Sequence, residues 1–139
     1  MNTEWISTLW PWMHIGGRVL FGVSFIMLSR GHLLNTAGTA GYAATFGVPS
    51  PRAAVLVSGI MAWLGAALIV LGWHRFIGAG LIVLFLLPVT FTMHRYWKDT
   101  DPNARMMNSI QFWKNMAMMG GALFMACYAG WGWPYSLGG

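Results

Sequence analysis

Residues 52–93 read RAAVLVSGIMAWLGAALIVLGWHRFIGAGLIVLFLLPVTFTM, and the fold turns on this stretch. It holds two apolar runs, from about Arg52 to Trp73 and from about Phe76 to Met93, joined through the turn Gly72-Trp73-His74-Arg75. About 20 apolar residues in a helix cross the roughly 30 Å hydrocarbon core of a bilayer, and each run is of that order. The connection is so short that the two spans must be antiparallel neighbours. Pro88 has no N–H to give the carbonyl of Leu84, which predicts a kink in the second of them.

Working outward, the N-terminal side supplies another span from about Pro11 to Leu34. Pro11 suits the first turn of a helix, where its missing N–H goes unused, and Trp5, Trp10 and Trp12 form an aromatic belt at that end. The segment from Asn35 to Pro51 is too polar and too short to span, and reads as a loop or a partly helical interfacial piece. On the C-terminal side, HRYWKDTDPNARMMN (94–108) is a surface loop holding both aspartates. A last span follows from about Ser109 to Trp131, amphipathic in its first turns at Gln111, Lys114 and Asn115. The expected fold is therefore all-α: an integral membrane four-helix bundle, up-down-up-down. Its spans run about 11–34, 52–73, 76–93 and 109–131 in a single transmembrane domain over residues 1–139. Small residues at helix-packing spacing, Ser58, Ala62 and Ala66 in one stripe and Ala122, Ala126 and Gly130 in another, allow the close approach that holds helices together in lipid.

Composition agrees. The 139 residues are 57% hydrophobic and 8% charged, whereas a soluble domain carries about 25% charged residues. Lipid must cover most of the surface. The net charge of +5 comes from sparse basic residues at the ends of apolar runs, where they act as topology signals and lipid-headgroup contacts, and no nucleic-acid partner is expected. One cysteine, Cys127, excludes an internal disulfide and a CxxC redox pair. The N-terminus does not read as a cleaved signal peptide, because it opens with Glu4 rather than a basic cluster and its apolar run carries Arg18. Arg52, Arg95, Lys98 and Arg105, with Arg30 and Lys114 beside them, share one face, against Arg75 and Arg18 on the other. The positive-inside rule then puts both termini outside and both larger loops in the cytoplasm.

Folding four spans up and down brings distant residues to that basic face. Arg30, His32, His94, Arg95, Trp97, Lys114 and Asn115 form the candidate ligand-binding set. One reading is that the cations snorkel to phosphates and the indoles anchor the interface. The other is a pocket between helices for an anionic or quinone-like ligand, since polar residues in spans face the bundle interior and imidazole titrates near neutral pH. Arg18 is a second, separate candidate that either snorkels or faces the bundle near Trp73, His74 and Trp131. Two histidines without nearby Cys, Asp or Glu are an incomplete metal set, so no metal site is assigned. The absence of any carboxylate within the spans leaves no nucleophile–base–acid set, and whether the chain is an enzyme stays open.

The segments GRVLFGVSFI (17–26), GVP (47–49), RFIGAGLIVLFLLPVTFTMH (75–94) and above all FWKNMAMMGGAL (112–123) resemble the DoxX family. That resemblance implies a four-helix protein of a bacterial or archaeal inner (cytoplasmic) membrane, related to the membrane subunits of a quinol oxidase and of a thiosulfate:quinone oxidoreductase. It implies no covalent cofactor, a quinone as the group handled, and as partners membrane lipids and other membrane or redox subunits, with a homo-oligomer also allowed. It singles out Arg18, His94, Lys114, Asn115, Gly120 and Gly121. Ala62 and His32 depart from the Glu and Lys that many family members carry there. The fold is also similar to that of vitamin K epoxide reductase, whose chemistry needs the CxxC missing here. A non-catalytic bundle that binds lipid or stabilises a larger complex is the alternative function. A small transporter ranks last, since no inverted repeat is visible.

Overall fold

The computed structural model describes residues 4–128 and 132–138, and these are helical apart from short connections and the C-terminal segment. Helix α1 covers Glu4–Leu34, α2 Thr36–Thr45, α3 Pro51–Leu71, α4 Arg75–Met93 and α5 Pro102–Cys127, with a single 3₁₀ turn at Tyr96–Lys98. Three segments are long and apolar enough to cross a membrane: α1, α3, and α4 with the turn that follows it. The chain is a multi-pass membrane protein.

The expected boundaries need several corrections. The chain is already helical at Glu4, so Pro11 lies inside α1 rather than in its first turn. The 35–51 segment takes the partly helical form, with Asn35 capping α2 through its side chain onto the Gly38 N–H at 3.2 Å. The polar loop after α4 ends sooner than expected. Asp101 accepts from the Ala104 N–H at 2.7 Å, and Pro102 takes a first-turn position, so α5 starts well before Ser109; both are ordinary helix-start chemistry. Gln111, Lys114 and Asn115 therefore sit inside α5, and its unbroken apolar part, Met116–Cys127, is ~18 Å long at 1.5 Å per residue. The end of the expected last span, residues 129–131, lies outside the described residues. The α3–α4 reversal is as short as expected, with Gly72 at φ 67° and His74 at φ 43° making it. Helix α4 runs through Pro88 as one element.

Successive long helices pack in antiparallel pairs. His32 near the end of α1 meets Gly59 early in α3, while Gly22 meets Ala66 and Val70 later in it. His94 and Phe91 at the end of α4 meet Asn108 and Phe112 early in α5. Phe25, Ala62, Ala66, Ile69, Ile82, Phe85, Leu86, Met119 and Ala122 form the core between them. Ala62, Ala66 and Ala122 of the small-residue stripes are fully buried, whereas Ser58 and Ala126 are half-buried and Gly130 is outside the described residues. One close approach belongs to two glycines the stripes did not include. A Cβ on Gly65 would lie 2.9 Å from the Gly78 carbonyl oxygen, and one on Gly78 would lie 3.1 Å from that of Gly65, so α3 and α4 touch backbone to backbone. The buried hydroxyls of Ser29 and Thr90 donate to the carbonyls of Phe25 and Leu86 in their own helices, which satisfies them without a partner helix. A smaller cluster, Ala40, Ala43 and Val55 with Val48 and Met93, seats α2 across α3 and the end of α4.

Candidate functional site

Where α2 lies over the bundle, the helices leave a cavity of about 370 Å³. Its walls are mostly apolar, from Phe25, Leu28, Val55, Phe85, Leu86, Val89 and Met118, with Pro88 among them. Its polar groups are His32 near the end of α1, Thr39 and Tyr42 of α2, Ser58 of α3, Thr92 and His94 at the end of α4, and Gln111, Lys114 and Asn115 within α5.

His32, His94 and Lys114 are held by their neighbours. His32 is half-buried, its Cβ pressed where a side chain on Gly59 would stand and its ring edge-on to Phe85 at 5.5 Å between centroids. His94 follows the last residue of α4, and its Nδ1 lies 3.3 Å from Asn108 Oδ1. The Asn108 amide in turn donates from Nδ2 to Asp99 Oδ2 at 2.8 Å. A carboxylate only accepts, so that contact turns the amide oxygen toward His94. Nδ1 of a neutral His94 must then carry the proton, which leaves Nε2 as the acceptor. The Lys114 ammonium donates to Gln111 Oε1 one turn back on α5. Asn115 is buried.

Of the residues singled out from the sequence, His32, His94, Lys114 and Asn115 line this cavity, and Arg30, Arg95 and Trp97 do not. Arg30 is exposed on the outer face of α1. Trp97 is largely exposed and packs edge-on against Phe112 and Tyr96, in an aromatic cluster over the start of α5. The α2 wall and the hold of Asp99 on Asn108 were not anticipated, whereas Asn108 and Gln111 were expected to add hydrogen bonds at this face. The Asn35 cap and the Asp101-Pro102 start were legible signals that shorten both connections and bring these residues in. Arg18 lies elsewhere, buried at the level of the α3–α4 turn, so it faces the bundle and does not snorkel. Among the described residues no group of three or more His, Cys, Asp or Glu could hold a metal ion.

The DoxX family profile matches residues 14–95, which takes in all but the start of α1, then α2, α3, α4 and His94. The chain belongs to the DoxX family. A relative, the inner membrane protein YphA of Escherichia coli (strain K12), is 31% identical over 116 residues, 84% of this chain and 82% of the relative. No solved structure matches the chain. The DoxX match holds His32 and His94 but stops short of α5, so Lys114, Asn115 and the FWKNMAMMGGAL stretch lie outside the matched range.

Proposed function

We propose that this DoxX protein is a subunit or accessory of a quinone-linked membrane oxidoreductase, and that the cavity under α2 receives the quinone. The observation that supports this most is the cavity's make-up, largely apolar walls with His32, His94, Lys114 and Asn115 at one end. A quinone has the same division, an apolar ring and tail with two carbonyl acceptors. When bound, a quinol would supply the redox chemistry, releasing two electrons and two protons as it is oxidised to the quinone. Lys114 has donors for a carbonyl oxygen, and Asn115 can orient the ring through its amide. His94, proton on Nδ1 and acceptor at Nε2, is able to take a proton at one nitrogen and release one at the other toward Asn108 and the loop. The chain's own side chains offer no electron acceptor, so the electrons would pass to a partner subunit.

In the same reading α5 is a fourth crossing, its polar first turns at the headgroups, and the four long helices form an up-down-up-down bundle. The relative's inner-membrane name and the Lys/Arg bias support an inner-membrane location with both termini outside. A second reading, a non-catalytic bundle that binds lipid or partner subunits and can self-associate, is favoured by the positions of the acids: Glu4 at the head of α1, Asp99 and Asp101 in the loop before α5.

Gentle solubilisation followed by solvent extraction tests the choice. The wild type is expected to carry bound quinone and partner subunits, and His94→Ala and Lys114→Met to carry about tenfold less quinone, a loss of about 1.4 kcal/mol. A quinone-free protein whose deletion leaves quinol oxidation unchanged rejects the quinone reading. Small-to-large changes at Ala122 that break assembly, with His94→Ala and Lys114→Met silent, favour the second.

A further inference from the structure

At the opposite end of the bundle lies a separate cavity of about 450 Å³ between α1 and α5, lined by His14 and Arg18 among apolar side chains that include Phe21, Phe124 and Trp133. Arg18 is only 6% exposed. Its Nη2 donates to the Tyr135 carbonyl at 2.7 Å, whereas Nε and Nη1 are buried without an acceptor, as is His14 Nδ1. The guanidinium sits 5.9 Å from the centroid of the Trp133 ring, and that of Arg75 sits 5.2 Å from the same ring. Two cations therefore share one buried indole. The acid on this side of the bundle, Glu4, lies fourteen residues back along α1, ~21 Å at 1.5 Å per residue. A buried charge with unsatisfied donors is costly unless an anion accompanies it.

We propose that this cavity binds an amphiphilic anion, an oxyanion head on an apolar chain, the head accepting from Arg18 and His14. The apolar chain lies between α1 and α5 along Phe21 and Phe124, in the cavity that Gly121 also lines. The mixed walls select against a small free anion, which would leave the apolar surface empty, and against a neutral lipid, which would leave the guanidinium unpaired. A lipid phosphate and a free fatty carboxylate share this chemistry. The site is distinct from the cavity under α2, so the quinone result neither supports nor overturns it.

The full-length protein in neutral detergent is titrated with three bromine-labelled probes, phosphatidylglycerol, stearate and the uncharged stearyl alcohol. Binding is read by quenching of tryptophan fluorescence, since Trp10 and Trp133 line the cavity, and by adduct mass in native mass spectrometry. The expected result is at least tenfold tighter binding of one or both anions than of the alcohol. That preference is expected to be lost in Arg18→Met, and binding of all three to fall in Gly121→Leu. Phosphatidylglycerol alone identifies a lipid phosphate as the occupant, and stearate alone a fatty carboxylate. Alcohol binding within twofold of the better anion overturns the proposal, as does an Arg18→Met protein that keeps the preference or a wild type that binds none of the probes. Should Arg18→Met fail to fold, the anion-to-alcohol ratio of the wild type and the Gly121→Leu result decide.

Discussion

Gly78→Ala and Gly80→Ala place the same methyl group on the same helix two residues apart, and their effects should have opposite signs. At Gly78 the new Cβ would stand 2.9 Å from Leu68 Cβ, 3.1 Å from the Gly65 carbonyl oxygen and 3.3 Å from Ile69 Cγ1. The first two are backbone or next to it and cannot swing aside, so α3 and α4 must separate by some tenths of an ångström along their tightest contact. Overpacking of this kind costs about 1–3 kcal/mol, and the Gly-to-Ala gain in helix stability returns about 0.5–1 kcal/mol. The net expectation is a loss of up to about 2.5 kcal/mol. At Gly80 a Cβ meets nothing within 4 Å, so only the helix gain of about 0.5–1 kcal/mol remains. Reversible unfolding in mixed micelles, titrated with a denaturing detergent and followed by circular dichroism, measures both against wild type. A Gly78→Ala midpoint at or above that of Gly80→Ala would refute the claim that these two helices touch through their backbones.

Three further outcomes are expected. Asn108→Ala removes the group that orients His94, so nitrogen NMR of labelled histidine should show the wild-type Nδ1–H form giving way to a mixture of tautomers; an unchanged spectrum means Asn108 does not set the proton's position. Trp133→Ala removes a buried indole shared by Arg18 and Arg75 and should lower stability by about 3–5 kcal/mol, measured by the same detergent titration, with a loss under about 1 kcal/mol contradicting it. In a Cys127→Ser background, Thr100→Cys in the loop before α5 should react with a membrane-impermeant maleimide from the cytoplasmic side, and His74→Cys in the α3–α4 turn from the other. The reverse pattern inverts the orientation.

The α3–α4 pair was legible in the sequence because nothing in it competes: two apolar runs, and a connection too short for any alternative. Boundaries failed where a local signal had two uses. Pro11 fits a first turn, but it is tolerated inside α1, and only the residues before it reveal which. Asp101-Pro102 is a helix start that the polar character of 94–108 masked, because a helix entering the headgroup region has no apolar periodicity to announce it. The convergence of His32, His94, Lys114 and Asn115 could be anticipated from topology alone, since antiparallel helices bring alternate ends together. Whether Arg30 and Arg95 turn toward the cavity depends on rotation about the helix axis, which sequence spacing does not fix. Arg18 shows the limit most plainly. Its carbonyl partner is Tyr135, 117 residues away, in a C-terminal segment held over the α3–α4 turn by the Leu137 N–H donating to the Leu71 carbonyl at 3.0 Å, and no local pattern announces that contact.

The ten residues of α2 are too few to hold a helix in water unaided. Their order is borrowed from Val55 and Met93 beneath them, and a guest in the space beneath Thr39, Tyr42 and Ala43 would add to it. Occupancy of that space is therefore coupled to folding of its own roof. A guest should slow amide exchange in 36–45 more than anywhere else in the chain, and its measured affinity will always contain the cost of freezing those ten residues.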